Sequence, residues 1–264
     1  MRLTIIGGGV MGEAILSAAL ARGVYGPSDV TVCELVETRR NALHARYGVH
    51  TTPESGDAMR SADVVILSVK PQEVGSVQGR LRPDALLVSI MAGVGLAQLR
   101  AEFEHTRIVR VMPNTPAAVN AGMSAWTATP EVDDQQRELT RGLLAAIGRE
   151  AYVDSEKKVD MATAVSGSGP AYVFLVMEAL IEGAVSVGLP RAQAEELVLQ
   201  TVLGAAQYAQ ETGMKPAELR AMVTSPAGTT AAGLLELEKG AVRASFIECV
   251  RAAYKRAVEL GQPS

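Results

Sequence analysis

Three glycines near the start of the chain constrain its fold more strongly than any other feature. A short apolar run over residues 3–6 leads into glycines at positions 7, 9 and 12, and a helical pattern follows. This spacing, between a strand and a helix, is typical of the phosphate-binding turn of dinucleotide-binding proteins. The first glycine allows a tight turn, the second lets the backbone approach a pyrophosphate, and the third lets the helix pack against the strand. A glycine-rich turn of another α/β protein is the less favoured interpretation. The predicted cofactor contacts are Gly7, Gly9, Val10, Met11 and Gly12.

The first 154 residues alternate between strand and helix patterns, which is typical of an α/β domain. Short β-rich apolar runs near turn residues predict the strands, and periodic stretches between them predict helices. The alternation implies right-handed crossovers, and hence a doubly wound Rossmann-type parallel sheet with helices on both faces. After the first strand, strands are predicted at 30–34, 63–69, 85–91, 108–112, 123–129 and 150–153, and helices at 38–47, 96–103 and 133–147.

After Asp154 the pattern changes, and no convincing strand follows. We therefore predict a dinucleotide-binding domain over residues 1–154 and an all-α domain over residues 155–264. Pro170 and Pro190 are expected at helix starts, where a missing N–H is harmless. Helices are predicted at 159–164, 171–187, 191–210, 216–222, 230–239 and 244–260, with breaks at 167–170, 188–190, 213 and 225–226.

The composition is that of an ordinary globular protein, with 48% hydrophobic and 20% charged residues. A net charge of -4 and the absence of a long basic run argue against nucleic-acid binding. Cys33 and Cys249 are isolated and lack metal-ligand spacing, so we expect reduced thiols, no metal site and a cytoplasmic location. Because a strand is predicted at the start of the sequence, we expect no signal peptide, and we expect no membrane span because Glu178 and Glu182 interrupt the best candidate. The three histidines, His44, His50 and His105, are expected to be solvated.

Loops at the carboxyl ends of the predicted strands are the candidate binding residues, because ligands of open parallel sheets bind there. Pro71 should hold Lys70 in extended geometry beside a cofactor, although a solvated surface lysine is an equal alternative. Ala92 and Gly93 are small enough to admit a flat ring, or they form a simple turn. Asn114, between two prolines, either presents its amide rigidly or caps a turn, with the cap slightly favoured.

Two loops in the helical half lead into helices and carry hydroxyls beside free N–H groups. One spans residues 166–172 and the other spans residues 225–230. Both suit a small carboxylate, and ordinary helix capping is the alternative.

Taken together, these motifs resemble the pyrroline-5-carboxylate reductase family over essentially the whole chain. The resemblance rests on the glycine turn and on the segments 69–71, 92–94, 112–116, 166–174 and 225–230. The family's last segment usually reads Ser-Pro-Gly-Gly-Thr-Thr, and here Ala227 replaces the first of its glycines. The replacement should be harmless unless that residue needs a positive φ.

The resemblance implies reduction of the C=N bond of 1-pyrroline-5-carboxylate to L-proline by hydride from NADPH or NADH. It places Val69, Lys70, Pro71, Ala92 and Gly93 at the nicotinamide end of the cofactor. It also implies dimers formed through intertwined helical domains, often assembled into larger rings, with the partner chain completing the active site. The substrate carboxylate would be held by Ser225, Gly228 and Thr229, and its ring nitrogen by Thr230 as the catalytic residue.

The cofactor preference stays open in the sequence. Glu34 lies at the end of the second strand, where an acid usually accepts a hydrogen bond from the ribose 2′-hydroxyl and favours NADH. Arg39 and Arg40, on the next helix, could instead reach a 2′-phosphate. We therefore predict NADPH or NADH.

Two other protein classes share features with this sequence. A β-hydroxyacid dehydrogenase shares the two-domain plan, but its catalytic lysine and asparagine are replaced here by Val173 and Met177. Alcohol oxidation needs a base, so this replacement argues against that activity. A non-catalytic dinucleotide sensor is the second rival, and it should tolerate the loss of Thr230.

Overall fold

The glycine turn follows the first strand of an eight-stranded sheet. The structure is a computed structural model, which describes residues 1–261. The order across the sheet is β3-β2-β1-β4-β5-β6-β7-β8. Every neighbouring pair is parallel except β6 and β7, which are antiparallel. The sequence order therefore reverses at β1, as in a doubly wound fold. The strands are β1 (Leu3–Ile6), β2 (Val30–Cys33), β3 (His50–Thr52), β4 (Val64–Leu67), β5 (Leu86–Ser89), β6 (Ile108–Met112), β7 (Gly122–Ala128) and β8 (Gly148–Tyr152).

The central strands are continuous apolar runs because both of their faces are covered. All residues of β1, β4 and β5 are buried, as expected for parallel strands between two layers of helices. Two separate clusters of buried apolar residues line the sheet, one including Ile5 and Trp126 and the other including Leu67 and Phe103. The helices of this region are α1 (Val10–Ala21), α2 (Glu37–Tyr47), α3 (Gly56–Ser61), α4 (Leu96–Phe103), α5 (Asp134–Ala146) and α6 (Glu156–Ala162).

The chain divides into two compact units. One unit comprises Met1–Ser168 together with the chain from Ala252 onward, and the other comprises Gly169–Arg251. The predicted domain limits at 154 and 155 stay a prediction, and residues 262–264 of the second predicted domain lie outside the described part. The remaining helices are α7 (Gly169–Ser186), α8 (Arg191–Thr212), α9 (Pro216–Met222), α10 (Thr229–Lys239) and α11 (Val242–Leu260).

The predicted elements agree with the structure to within a few residues, with four differences, the first of which is the short helix α3, which was not predicted. The strand β3 was not predicted; it is a three-residue, partly exposed edge strand of sequence His-Thr-Thr. Strand β7 runs antiparallel to β6, whereas the alternating pattern implied a parallel sheet. The break expected at residues 167–170 is absent, because residues 163–167 form a π-helical turn that leads directly into α7.

This π turn also corrects the expected carboxylate site around residues 166–172. The N–H of Ser168 donates to the carbonyl oxygen of Thr163 at 2.8 Å, so it is used inside the helical run. Pro170 is the second residue of α7, so its expected position at a helix start is confirmed, although the π turn precedes it closely. The loop that was expected to present free N–H groups is therefore a continuous helix with one widened turn.

The helical run over Glu156–Ser186 exposes much of its apolar surface. It is 31 residues long, its most apolar window has a mean hydropathy of 1.4, and 6% of that window is buried in the chain. Within residues 1–261 it is the one helix that could span a membrane by length and composition. The membrane-span candidate that contains Glu178 and Glu182 is therefore part of a longer helical run, because the π turn lets the helix continue. Exposed apolar surface of this kind also marks contacts between protein chains.

Candidate functional site

A cleft of about 450 Å³ opens at the carboxyl ends of β1, β2 and β4. This is the edge of the sheet at which open α/β folds bind their ligands, beside the point where strand order reverses. Five of the predicted cofactor residues line it, namely Gly7, Gly9, Glu34, Val69 and Lys70.

The three glycines of the first turn have distinct geometric reasons to be glycine. Gly7 has φ +99°, and a Cβ there would lie 2.5 Å from the carbonyl oxygen of Ser68. A Cβ on Gly12 would lie 2.1 Å from the carbonyl oxygen of Gly7, so only glycine lets α1 pack this closely. A Cβ on Gly9 would meet nothing within 4 Å. The turn is therefore closed on its inner side and open at Gly9.

This opening fits the pyrophosphate of a dinucleotide. Gly9 is the N-cap of α1 and provides no side-chain cap, so the first N–H groups of the helix face outward without a built-in acceptor. Helix N-termini of this kind attract anions through N–H groups and the helix dipole. Val10 is 69% exposed, and Met11 is partly buried in the first turn. The residues present therefore fit a dinucleotide, and their individual roles stay a prediction.

An acid in the first turn of α1 is neutralised by neighbouring cations. Glu13 accepts from Arg39 at 2.5 Å, and from Arg46 and Tyr47 at 2.9 Å each. Burial works against ionisation of Glu13, but the hydrogen bonds from Arg39 and Tyr47 and the two arginine charges hold its pKa below the ordinary value. The negative charge at this helix N-terminus is thus largely compensated.

Glu34 is held by two backbone N–H groups, one from the glycine turn and one from the loop after β2. Its Oε2 accepts from the N–H of Gly8 at 3.0 Å, and its Oε1 accepts from the N–H of Val36 at 2.9 Å. Arg39 donates from Nε to the carbonyl oxygen of Gly8 at 2.7 Å. Arg40 donates to the carbonyl oxygens of Glu34 and Leu35 at 2.8 Å each. The glycine turn and the loop after β2 are therefore held together by one hydrogen-bond network.

The segment after β4 has the extended backbone that Pro71 predicts. Lys70 has φ -68° and ψ 147°, and its N–H donates to Glu73 at 3.1 Å. Its side chain is exposed. The extended geometry is confirmed, while a contact between these residues and the nicotinamide stays a prediction.

In the segment after β5, backbone conformation and packing explain a glycine at position 93 without any ligand. Gly93 has φ +77° and is buried, and a Cβ there would lie 2.9 Å from Cβ of Leu260 at the end of α11. Ala92 and Gly93 lie outside the lining of the cleft described above. They follow the strand next to β4, and their predicted role at the nicotinamide stays open to test.

Asn114 joins three segments and does not cap the turn that it precedes. Its Oδ1 accepts from the N–H of Met123 at 2.8 Å, and its Nδ2 donates to the carbonyl and hydroxyl oxygens of Ser166 at 3.2 Å each. Although it is the N-cap of the short 3-10 turn Thr115–Val119, its side chain makes no cap bond there. The slightly favoured capping interpretation is wrong, because the amide is used across the fold.

A buried ion cluster was missed by the sequence analysis. Arg110 on β6 has a side chain that is 5% exposed, and it pairs with Asp160 at 2.5 Å and Glu156 at 3.2 Å. Glu156 also accepts from the N–H of Leu96 at 2.7 Å, at the start of α4. An arginine in the middle of an otherwise apolar strand is the signal that could have revealed a buried partner.

His105 is buried rather than solvated. It is 5% exposed, and its Nε2–H donates to the carbonyl oxygen of Ala85 at 2.8 Å. Burial lowers its pKa from the model-peptide value of 6.5, against the opposing effect of that hydrogen bond. The histidine therefore has a structural role in the sheet region.

The loop over residues 225–230 belongs to the second unit and brings four of the predicted substrate residues together. The N–H of Gly228 donates to the carbonyl oxygen of Ser225 at 3.1 Å. A Cβ on Gly228 would lie 2.3 Å from the hydroxyl oxygen of Ser225, so a side chain there would displace that hydroxyl from its present position. Thr229 and Thr230 are exposed in the first turn of α10, where N–H groups lack intrahelical acceptors.

Ala227 does adopt a positive φ, of 60°. This is the left-handed region, in which glycine is unstrained and alanine is not. The replacement of the family's glycine by Ala227 was expected to be harmless unless this residue has a positive φ, and the structure shows that it does.

Comparison with known proteins identifies the family to which this chain is similar. The family model described as pyrroline-5-carboxylate reductase dimerisation matches residues 156–260. A second model, described as NADP oxidoreductase coenzyme F420-dependent, matches residues 2–93. The two matches correspond to the helical region and to the dinucleotide-binding half of the sheet, and they support homo-oligomerisation and NAD(P)H binding.

Whole-chain relatives agree with both models. The pyrroline-5-carboxylate reductase of Synechocystis sp. is 45% identical over 265 residues, covering 99% of each chain. The structure of a pyrroline-5-carboxylate reductase from Coxiella burnetii matches with a TM-score of 0.90 at 38% identity, covering 99% of each chain. That of Plasmodium falciparum pyrroline carboxylate reductase, solved with NADP bound, matches with a TM-score of 0.87 at 27% identity, covering 99% of this chain and 98% of that one. A relative is 45% identical to this chain across 99% of its length, the fold matches solved members, and the glycine turn fits a dinucleotide. This chain therefore belongs to the pyrroline-5-carboxylate reductase family.

Proposed function

We propose that this protein reduces 1-pyrroline-5-carboxylate to L-proline, the last step of proline synthesis, with hydride from NADH or NADPH. The observation that carries the proposal is the open glycine turn at α1, in a chain 45% identical to a pyrroline-5-carboxylate reductase over its whole length. The exposed helix start at Thr229 and Thr230 supports a second, carboxylate-binding role for the helical region.

The reaction needs little acid–base chemistry from the protein. When bound, the reduced nicotinamide supplies a hydride, and the hydride's electron pair forms a C–H bond at the imine carbon. The C=N π electrons then become the lone pair of the ring nitrogen, so a protonated imine yields the secondary amine directly. What the chain must contribute is positioning and charge stabilisation.

We assign the substrate contacts to the start of α10. Ser225, Gly228 and Thr229 hold the carboxylate through hydroxyl and N–H donors, assisted by the positive end of the helix dipole. Thr230 hydrogen-bonds the ring nitrogen, orients the ring and keeps a proton at that nitrogen. Thr230 is the proposed catalytic residue.

The cofactor contacts are assigned to the carboxyl edge of the sheet. The glycine turn with Val10 and Met11 holds the pyrophosphate, and Glu34 lies beside the adenosine ribose. The nicotinamide end is lined by Val69, Lys70, Pro71, Ala92 and Gly93. The position of Lys70 in the lining of the cleft, with an extended backbone and an exposed side chain, supports this placement.

We further propose that the homo-oligomer is built from dimers joined through the helical region, with the partner chain completing the active site and dimers assembling into a larger ring. The exposed apolar side chains of α7 and α8 support the dimer. Relatives that are biosynthetic enzymes, generally soluble, support a soluble protein, and a cytoplasmic location is the corresponding proposal.

The role of Thr230 is tested by Thr230→Ala, compared with Thr201→Ala. Both threonines are exposed on helices of the second unit, and the Thr201 hydroxyl donates to the carbonyl oxygen of Leu197 one turn earlier. T230A should lower kcat by about 10²-fold while leaving the Kd of the cofactor within about two-fold, since removing a positioned hydrogen-bonding group raises the barrier to the chemical step. T201A should keep wild-type kinetics. Normal turnover by T230A would contradict the assignment of Thr230, whereas no turnover by the folded wild type would favour the rival sensor interpretation.

A further inference from the structure

We propose that this protein selects NADH over NADPH, and that Glu34 is the residue that makes the selection. This inference rests on one part of the proposed function, namely that the cleft binds a dinucleotide. It concerns the corner of the cleft after β2, where Glu34, Leu35 and Val36 all contribute to the lining.

The carboxylate of Glu34 is held in place rather than free to swing away. Two backbone N–H groups, from Gly8 and Val36, bind its two oxygens at 3.0 and 2.9 Å. Gly8 belongs to the glycine turn, so moving the carboxylate would remove a bond that fixes the phosphate-binding backbone. Each carboxylate oxygen has a second lone pair, which leaves capacity for a ribose hydroxyl.

The two arginines that could offset this charge are engaged elsewhere. Arg39 binds the carbonyl oxygen of Gly8 and pairs with Glu13 at 2.5 Å. Arg40 binds the carbonyl oxygens of Glu34 and Leu35. Neither guanidinium is among the described residues that line the cleft. Both arginines therefore stabilise the loop that presents Glu34.

The cation that does line the cleft is on another strand. Lys70 is the single lysine or arginine in the lining, as far as the described residues go. It follows β4, and β1 lies between β4 and β2. Two strand spacings separate the backbones by about 10 Å, so Lys70 and Glu34 serve different parts of the cofactor.

The chemistry then discriminates between the two cofactors. A ribose 2′-hydroxyl can donate a hydrogen bond to the fixed carboxylate. A 2′-phosphate has no proton to donate near neutral pH and places a second negative group beside it, which is unfavourable by Coulomb repulsion. The same corner thus favours NADH and opposes NADPH.

The test measures cofactor binding directly and is independent of turnover. Isothermal titration calorimetry of NADH and NADPH is carried out on the full-length wild type, on Glu34→Gln and on Glu37→Gln. Glu37 is exposed in the first turn of α2 and lies outside the cleft lining, which makes it a matched control. We expect the wild type to bind NADH at least about ten-fold more tightly than NADPH, a preference that E34Q narrows by about ten-fold and that E37Q preserves.

Ionic strength provides a second readout. Because repulsion between charges is screened by salt, the NADH preference of the wild type should shrink as salt increases, and that of E34Q should change little. Tighter binding of NADPH by the wild type, or an unchanged affinity ratio in E34Q, would overturn the proposal. If the protein shows the expected ratio but does not reduce a cyclic imine, the proposed reaction fails and the cofactor assignment stands.

Discussion

At the scale of single residues, Ala227 carries a measurable backbone strain. Its φ of 60° lies in the left-handed region, in the turn that precedes α10. An L-residue with a Cβ pays roughly 1–2 kcal/mol there, and glycine avoids this cost. We expect Ala227→Gly to raise the free energy of unfolding by about 0.5–1 kcal/mol after the greater flexibility of glycine in the unfolded chain is counted. Thermal unfolding of both proteins at the same protein concentration measures this change in the free energy of unfolding.

The control for this substitution is Ala42→Gly. Ala42 is exposed in the middle of α2, where backbone φ is helical. The same change of side chain should there destabilise the protein by about 1 kcal/mol. If both variants lost stability to the same extent, the strain assigned to Ala227 would be absent.

His105 should make stability depend on pH in mildly acidic solution. Burial lowers its pKa below 6.5 in the folded protein, so between the folded pKa and 6.5 the unfolded chain binds more protons. Stability therefore rises with pH in that window and is lost as pH falls through it. His105→Gln can keep a donor to the carbonyl oxygen of Ala85 but cannot titrate.

Urea unfolding at several pH values below 7 measures this dependence. The slope of the unfolding free energy against pH should be smaller in H105Q than in the wild type. An identical slope in the two proteins would show that the buried ring does not remain neutral in the folded state.

At the scale of elements, the ion cluster around Arg110 connects β6 with the starts of α4 and α6. Arg110 is nearly inaccessible, and Asp160 has a side chain that is 19% exposed. Removing one member of a buried cluster leaves the other charges without compensation. We expect Arg110→Met to lower the free energy of unfolding by about 3 kcal/mol, measured by urea denaturation.

Arg107 provides the comparison, since it lies just before the same strand. It pairs with Asp133 at 2.6 Å, but the two side chains are 31% and 52% exposed. Such a solvent-screened pair contributes less than about 1 kcal/mol. Equal losses in R107M and R110M would contradict the view that the cluster is energetically special.

The sequence predicted elements wherever local pattern decides them. Strand β6 and helices α4 and α9 begin and end at the predicted residues. Strand β3 escaped because three polar residues at a sheet edge carry no apolar signal. The π turn escaped because Gly-Ser-Gly-Pro is normally read as a helix break, whereas a widened turn accommodates it here.

Some features of the candidate site could likewise be predicted from local sequence patterns, and others could not. The glycine turn and the extended Lys70 follow from local backbone rules, so they could be predicted. The anchoring of Glu34 by Gly8 and the approach of Leu260 to Gly93 join residues far apart in sequence. Such pairings depend on the whole fold, and a single sequence does not encode them in any local pattern.

At the scale of the whole molecule, exposed apolar residues of the helical region support the proposed dimer. Leu199 and Leu203 on α8 are 52% and 60% exposed, and their spacing puts them on one face of the helix. In a two-fold interface each substitution acts twice. We expect Leu199→Arg/Leu203→Arg to convert the dimer to monomer, measured by sedimentation velocity.

A change outside the dimerisation region is the matched control. Val119 is 74% exposed and lies in the first unit, so Val119→Arg should keep the oligomeric state of the wild type. A double variant that still sediments as a dimer would exclude this face of α8 from the interface.

The central claim is that the chain delivers hydride to the imine carbon of 1-pyrroline-5-carboxylate. The most direct measurement incubates the purified protein with that substrate and with NADH in which both hydrogens at C4 are replaced by deuterium, followed by mass spectrometry and NMR of the product. We predict L-proline with one deuterium, located at C5, the former imine carbon. Cofactor oxidation without labelled proline, or no reaction by folded protein with either NADH or NADPH, would contradict it.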